Sequence, residues 1–262
     1  SSGLGVRIGD ITRAFDKFLD IKLQSSTSSF SFAKSKSEVF NQLESTLIPK
    51  NATVGTRLRE FFDGLSNLAQ DPDNANLRRL ALVNANAVST SISNLHTGLT
   101  DLRSVTHGTL ELTISEFNST LKNLSQVQKE IMGNSAKTGA PHGLLDRRDA
   151  LLEQLSEIGD ISVDYQASGG VTVSLGKLGA VGTLLEGSTF NEVTVKSDMG
   201  GVQTFVKDNF GSTSSVHFSS GQMAGLIAAD IATGETINEL NQLAQKFVTE
   251  MNSIHGMGLD KD

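Results

Sequence analysis

The longest pattern in the sequence is an apolar seam near the middle of the chain. Apolar residues recur there at steps of three and four, a spacing typical of coiled-coil helices. They form two runs: Val88, Ile92, Leu95, Leu99 and Leu102, then Leu110, Ile114, Phe117, Leu121 and Leu124. No proline interrupts residues 74–132, so the pattern predicts one helix of roughly 58 residues, about 87 Å long. Thr106 lies between the two runs at a stutter, which locally relaxes supercoiling.

Two further helices are predicted before this seam. The first begins near Asp10 or Thr12 and ends before Pro49, and the second passes through residues 58–68. Within the first helix, 8 of the 13 residues from 25 to 37 are Ser or Thr, whose hydroxyl groups compete for backbone hydrogen bonds. We therefore expect this stretch to need tertiary support. Residues 71–74 form the turn that follows, with Asp or Asn as the N-cap.

The second half of the sequence changes from a helical to a strand period. Apolar residues between Leu144 and Ile158 lie on one helical face, with residues 146–149 on the opposite face. Alternation of period two then predicts antiparallel hairpins from strands at 161–165, 171–175, 193–195 and 202–206, separated by glycine-rich turns. A short helix is predicted over 221–231, followed by a closing helix with a seam over 237–254.

These elements predict a mainly α protein with a smaller β part. A narrow apolar stripe is not stable alone in water, so the long helix must pack against helices of comparable length near both ends of the chain. We expect an elongated antiparallel helical bundle formed by residues 1–160 and 221–262. The β-hairpins of residues 161–220 form an inserted subdomain of this bundle.

Composition narrows the possible functions. The 22 basic and 29 acidic residues of the 262-residue chain give a formal charge of −7, which disfavours a nucleic-acid partner. There is no cysteine, so disulfides and thiolate chemistry are excluded. No apolar run reaches the length of a membrane span, and the N-terminus lacks the pattern of a signal peptide. Because the sequence begins without Met, we expect it to be part of a longer chain.

Candidate chemistry is sparse, and each candidate has a simpler structural explanation. His96 and His107 are eleven residues apart, about 16 Å along a helix, so they cannot share a metal and are predicted to be surface residues. Residues 71–74 resemble the start of a calcium loop, but position twelve is Leu82 and capping explains them better. The glycines between 169 and 182 fit hairpin turns, and the charges of Asp146–Asp149 fit a solvated or intersubunit face. We expect no catalytic, cofactor or metal site.

Several local sequences match those of a known family. The most specific is Pro141–Asp149, which has the pattern Pro-x-x-Leu-Leu-Asp-x-Arg-Asp. The others are Gly5–Ile8 with Arg13–Leu19; Phe61-Phe62, Leu68-Ala69, Asp71-Pro72 and Arg78–Leu82; and Gly221–Asp230, Leu243-Ala244 and Asn252–His255 with Gly258 and Asp260. Together they resemble the FlgK family of flagellar hook-associated proteins, and the resemblance spans nearly the whole chain.

The resemblance implies a non-enzymatic subunit of the bacterial flagellum at the junction of hook and filament. It implies export through the flagellar secretion apparatus without a cleaved signal peptide, and an extracellular location. The expected partners are further copies of the chain in a ring, the hook protein, a second junction protein and an export chaperone. The N-terminal helix of the family carries an Asn-rich motif followed by a Gly-Tyr turn, and neither appears here. The sequence also ends at Asp262, before the C-terminal segments of the family, so we expect a fragment that lacks both terminal segments.

Two other functions stay open on the sequence alone. One is another axial flagellar protein, such as the second junction protein or the filament cap, although residues 141–149 argue against it. The other is a hydrolase or ligand-binding protein that uses the glycine-rich β region, which would bind a metal or nucleotide stoichiometrically.

Overall fold

A computed structural model describes residues 17–49, 52–135, 141–166, 169–176, 182–198 and 201–257. The chain divides into two compact units. Unit 1 comprises Ser1–Phe30, Glu116–Val193 and Phe205–Gly221, and unit 2 comprises Ser31–Ser115, Thr194–Thr204 and Gln222–Asp262. The predicted start of the first helix, near Asp10 or Thr12, lies outside the described residues.

Helices make up 72% of the described residues, which confirms the mainly α fold class. They are α1 (Lys17–Leu47), α2 (Val54–Gln70), α3 (Ala75–Ser135), α4 (His142–Ile158) and α5 (Gly221–Gly256). The predicted turn between the second and third helices is confirmed. Asn74 Oδ1 caps α3 by accepting from the backbone N–H groups of Asn76 and Leu77, at 3.0 and 3.3 Å.

Two small antiparallel sheets form the β part. The first has the order β1-β2-β3-β4 and the second the order β5-β6-β7. The strands are β1 (Ile161–Tyr165), β2 (Val171–Leu175), β3 (Thr183–Glu186), β4 (Thr189–Phe190), β5 (Glu192–Asp198), β6 (Gly201–Lys207) and β7 (Thr213–Val216). The four strands that alternation predicts are present as β1, β2, β5 and β6. Strands β3, β4 and β7 were not predicted individually, because two to four residues are too few to show a period of two.

The long helix α3 carries much of the core, as its seam predicts. Val88, Leu99 and Leu102 are buried in unit 2, and Phe117, Leu121 and Leu124 are buried in unit 1. At the stutter, the Thr106 hydroxyl is buried and donates to the carbonyl of Leu102 at 2.9 Å. This internal hydrogen bond lets a polar residue occupy a core position of the helix.

The prediction of two separate helices at the end of the chain is wrong, because α5 runs without a break from Gly221 to Gly256. The apolar pattern pauses between residues 231 and 237, where threonine and glycine weaken helix propensity. Thr233 and Thr236 compensate by donating to carbonyls one turn earlier, each at 2.8 Å. Along the predicted seam of α5, Leu240 is buried but Ile254 is exposed.

The serine-rich part of α1 is helical and has the tertiary support that we expected. In unit 1, Gln24 Nε2 donates to the hydroxyl of Tyr165 at 3.2 Å. In unit 2, Ser35 Oγ donates to the carbonyl of Gln222 at 3.2 Å. Gly225 faces the same turn of α1, where an added Cβ would lie 2.6 Å from the carbonyl oxygen of Phe32. Close packing against α5 therefore replaces the weak intrinsic propensity of this stretch.

Candidate functional site

Asp230 on α5, in unit 2, has a fully buried side chain. Arg103 on α3 approaches it with two nitrogens, Nε at 2.8 Å from Oδ1 and Nη2 at 3.3 Å from Oδ2. His107, one turn further along α3, places Nε2 at 2.7 Å from Oδ1. A buried carboxylate is stable only when it is paired, and here two residues of one helix pair with it. We call these three residues the Asp230 cluster.

Arg103 also contacts the β part of unit 2. Its Nη2 donates to the backbone carbonyl of Asp198 at 3.4 Å. The hydrogen bond to Asp230 raises the pKa of Arg103, and its attraction to the carboxylates of Asp230 and Asp198 adds to the rise, whereas burial lowers the pKa. The guanidinium is therefore a permanent positive charge beside Asp230.

The prediction that both helix histidines are simple surface residues is wrong for His107. Its side chain is only 21% exposed and is paired with Asp230. A lone histidine carries no sequence signal for such a pair, because its partner is 123 residues away. His96 and His107 both line a groove of about 590 Å³ with Asp198, Asp230 and Glu235. Within the described part of the chain, no group of His, Asp and Glu side chains has the arrangement of a metal site.

A second cluster lies in unit 1, within the segment that carries the most specific family signature. Arg148 on α4 is buried and donates from Nη1 to the carbonyl of Gly169 at 2.5 Å. Its Nε and Nη2 each lie 2.7 Å from Asp149 Oδ1, and its guanidinium stands over the Tyr165 ring at 5.1 Å. Because Tyr165 in turn accepts from Gln24, this Arg148 cluster joins α4, the β1–β2 hairpin and α1.

The expectation that the four charges of 146–149 form a solvated or intersubunit face is therefore wrong for Arg148, whose partners lie within unit 1. Asp146 and Arg147 are exposed, as predicted, but Arg148 is 3% exposed. The sequence held a usable signal, because Arg148 precedes Leu151 and Leu152 by three and four residues and so lies on their apolar face. The charge of the side chain favoured an exposed position instead, since arginine is rarely buried unless it is paired.

A third set of polar residues docks the β strands onto α3 within unit 1. Asn118 accepts from the backbone N–H of Val193 at 2.9 Å and donates to its carbonyl at 2.8 Å. Ser125 donates to the carbonyl of Ser188 at 2.7 Å, and Gln128 donates to that of Val171 at 3.0 Å. These side chains satisfy backbone groups of the strands and turn that they contact, which fixes where the β part sits on the helix.

The remaining candidates have the structural roles that the sequence suggested. Asp71 Oδ2 accepts from the Asn74 side chain at 3.1 Å, which orients the cap of α3. Gly169 and Gly176 have φ angles of +85° and +69°, so these turn positions favour glycine. No helix in the described part of the chain is both long and apolar enough to cross a bilayer.

Comparison with known proteins places these features in a family. Residues 40–262 match the family model described as the flagellar hook-associated protein FlgK helical domain. Flagellar hook-associated protein 1 of Bacillus subtilis is 26% identical over 99% of this chain and 56% of its own length. The protein of the same name from Salmonella typhimurium is 23% identical over 99% of this chain and 48% of its own length.

A solved structure shares the fold. The flagellar hook junction protein FlgK from Burkholderia pseudomallei superposes with a TM-score of 0.71 and 21% identity, over 80% of this chain and 38% of that one. The chain spans about half the length of the curated relatives that it matches.

Proposed function

Because the chain belongs to the family of the flagellar hook-associated protein FlgK helical domain, we propose that it is a structural subunit joining the flagellar hook to the filament. The observation that carries this proposal is the match of residues 40–262 to the family model, because it includes all of α2 to α5 and both sheets. The names of the relatives, flagellar hook-associated protein 1 and flagellar hook junction protein, agree with the same role.

The contacts within each unit suit a mechanical role. Helix α3 has buried apolar side chains along its length, and its polar side chains bond to strands through Asn118, Ser125 and Gln128. Individual hydrogen bonds of this kind contribute about 1 kcal/mol each, but together they fix a single arrangement of helix and strands. A connecting subunit requires such fixed surfaces, since it must present the same contacts to every neighbour.

The expected partners belong to this proposal. We propose that the whole protein associates with further copies of itself in a ring, with the hook protein and with a second junction protein, and that an export chaperone accompanies it before assembly. We also propose an extracellular position in the flagellum, reached through the flagellar secretion apparatus without cleavage of a signal peptide. A ring uses two different surfaces of each subunit, since each copy contacts one neighbour on either side.

We propose further that the protein has no catalytic activity. The charged side chains of the Asp230 and Arg148 clusters are engaged with each other or with backbone carbonyls, which is the arrangement of structural ion pairs. The division into a helical part, residues 1–160 and 221–262, and a β subdomain, residues 161–220, stays a prediction.

The test is complementation of a strain that lacks the gene. Deletion should leave hooks without filaments while secreted filament protein accumulates in the medium, and the full-length gene should restore filaments. Immunogold labelling of the restored flagella should lie at the boundary of hook and filament. Normal filaments after deletion would refute the proposal, and labelling at the filament end would favour the cap instead.

A further inference from the structure

In the Asp230 cluster, Arg103 contacts both Asp230 on α5 and the backbone of Asp198 on β5. We propose that Asp230 is a positioning residue that holds the tip segment, residues 194–198 and 201–204 of β5 and β6, against α3 by orienting Arg103. Within the described part of the chain, Asp230 bonds to Arg103 and His107 and to no residue of the tip segment. Its effect on the tip therefore passes through the guanidinium of Arg103.

The geometry of the guanidinium makes this relay directional. Nε and Nη2 of Arg103 meet the two oxygens of Asp230 as a fork, at 2.8 and 3.3 Å. Because the guanidinium is planar, this two-point contact fixes the direction of the second hydrogen on Nη2. That hydrogen is donated to the carbonyl of Asp198, with a nitrogen-to-oxygen distance of 3.4 Å.

The surroundings support an orienting role for Asp230 rather than a simple charge pair. The side chain of Asp230 is 0% exposed and that of Arg103 is 16% exposed, so water competes little for the fork. Gly234, one turn after Asp230, faces the guanidinium, because a Cβ added there would be in ordinary van der Waals contact with Arg103 Cζ at 3.5 Å. The carboxylate of Asp230 and the small residue Gly234, both on α5, thus face the guanidinium of Arg103 on α3.

His107 provides an internal control. It shares Oδ1 of Asp230 at 2.7 Å, but no hydrogen bond joins it to Asp198. If the cluster merely stabilised the packing of α5, weakening the His107 contact would loosen the tip segment as much as weakening the Arg103 contact. If the relay is correct, the two contacts have different effects on the tip.

The experiment is hydrogen exchange on the full-length protein, read at the backbone amides of the tip segment. We expect Asp230→Asn and Arg103→Lys each to speed tip exchange by about tenfold, because neither variant can form the two-point fork. His107→Phe keeps a planar ring but removes the contact to Asp230 Oδ1, and it should change tip exchange by less than about twofold. Tip exchange in the double variant Arg103→Lys/Asp230→Asn should be little faster than in either single variant, because both substitutions act on the same path.

Each outcome decides the proposal. Unchanged tip exchange in Asp230→Asn, with faster exchange confined to α3 and α5, would overturn it. If His107→Phe speeds tip exchange as much as Asp230→Asn does, the proposal is overturned too, because this would show a general loosening of unit 2. If Asp230→Asn does not fold, Arg103→Lys alone decides, and an unaltered tip in that variant refutes the relay. The relay is independent of the proposed junction role, since the readout requires no assembled flagellum.

Discussion

Phe117 on α3 and Phe218, in the loop before α5, meet edge to face in the core of unit 1. Their ring centroids are 5.9 Å apart and the rings are inclined by 77°. Both side chains are almost completely buried. Gly159 lies against the same ring, and an added Cβ there would be 2.6 Å from Phe218 Cε1. The pair therefore packs α3 against the loop and the end of α4 with no room for another methyl group.

The first prediction concerns this pair. Phe218→Ala should lower the free energy of unfolding by about 3 to 5 kcal/mol, through lost burial and the cavity that remains. Phe210 is the matched control, because its side chain is 96% exposed at the turn between β6 and β7. Phe210→Ala should change stability by less than about 0.5 kcal/mol. Urea denaturation of both variants measures the difference, and similar losses would contradict the packing described.

The second prediction separates two adjacent arginines. Arg148→Met keeps the aliphatic length but removes the donors to Gly169 and Asp149, so we expect a loss of about 2 to 4 kcal/mol. Arg147→Met changes an exposed side chain one residue earlier and should cost less than about 0.5 kcal/mol. Thermal and urea unfolding of the two variants provide the comparison. Equal stability would mean that the buried arginine is not what holds α4 to the β1–β2 hairpin.

The third prediction is a pair of glycine substitutions with opposite signs. Gly225→Ala should destabilise the protein by about 1 to 3 kcal/mol, because the new Cβ would meet the α1 backbone at Phe32 and Lys36. Gly108→Ala should stabilise it by about 1 kcal/mol, since that position in α3 is exposed and a Cβ there would meet no atom within 4 Å apart from the adjacent residues and the backbone of its own helix. Unfolding midpoints that shift in the same direction would contradict the close approach of α5 to α1.

The fourth prediction tests how the strands dock on α3. Asn118→Asp keeps an acceptor for the N–H of Val193 but removes the donor to its carbonyl, and we expect a loss of about 1 to 3 kcal/mol. Asn123→Asp makes the same chemical change at an exposed position of the same helix and should be nearly neutral. Hydrogen exchange should also quicken around Val193 in the first variant alone. Exchange that is identical in both variants would argue against docking through Asn118.

Long-range periodicity made much of the helical part predictable. The seam from Val88 to Leu124 specifies α3 because a repeat sustained over ten apolar positions has no competing strand interpretation. The same reasoning wrongly divided α5 into two helices. Thr233 and Thr236 interrupt the apolar pattern there, but their hydroxyl groups donate to backbone carbonyls within the helix. Local propensity predicts a break there, and side-chain hydrogen bonding removes the need for one.

The polar clusters were less predictable because their partners are far apart in sequence. Asp230 bonds to Arg103 at a sequence separation of 127 residues, and Arg148 bonds to Gly169 at a separation of 21. Neither separation belongs to a recognisable sequence period. The position of Arg148 could have been inferred from its place on the face of Leu151 and Leu152. No comparable cue marks Asp230, since it lies in a segment where small residues dominate both sides of the helix.

The serine-rich stretch of α1 has a consequence for the order in which the chain folds. Its supporting hydrogen bonds reach Tyr165 and Gln222, at sequence separations of 141 and 187 residues. Contacts between residues so far apart in sequence require the closure of long loops, which costs chain entropy. We therefore expect them to form late in folding. We therefore expect the first part of the polypeptide to remain unstructured until the last part arrives. If the chain emerges with its N-terminus first, the α1 region would therefore remain unfolded until nearly all of the chain has emerged.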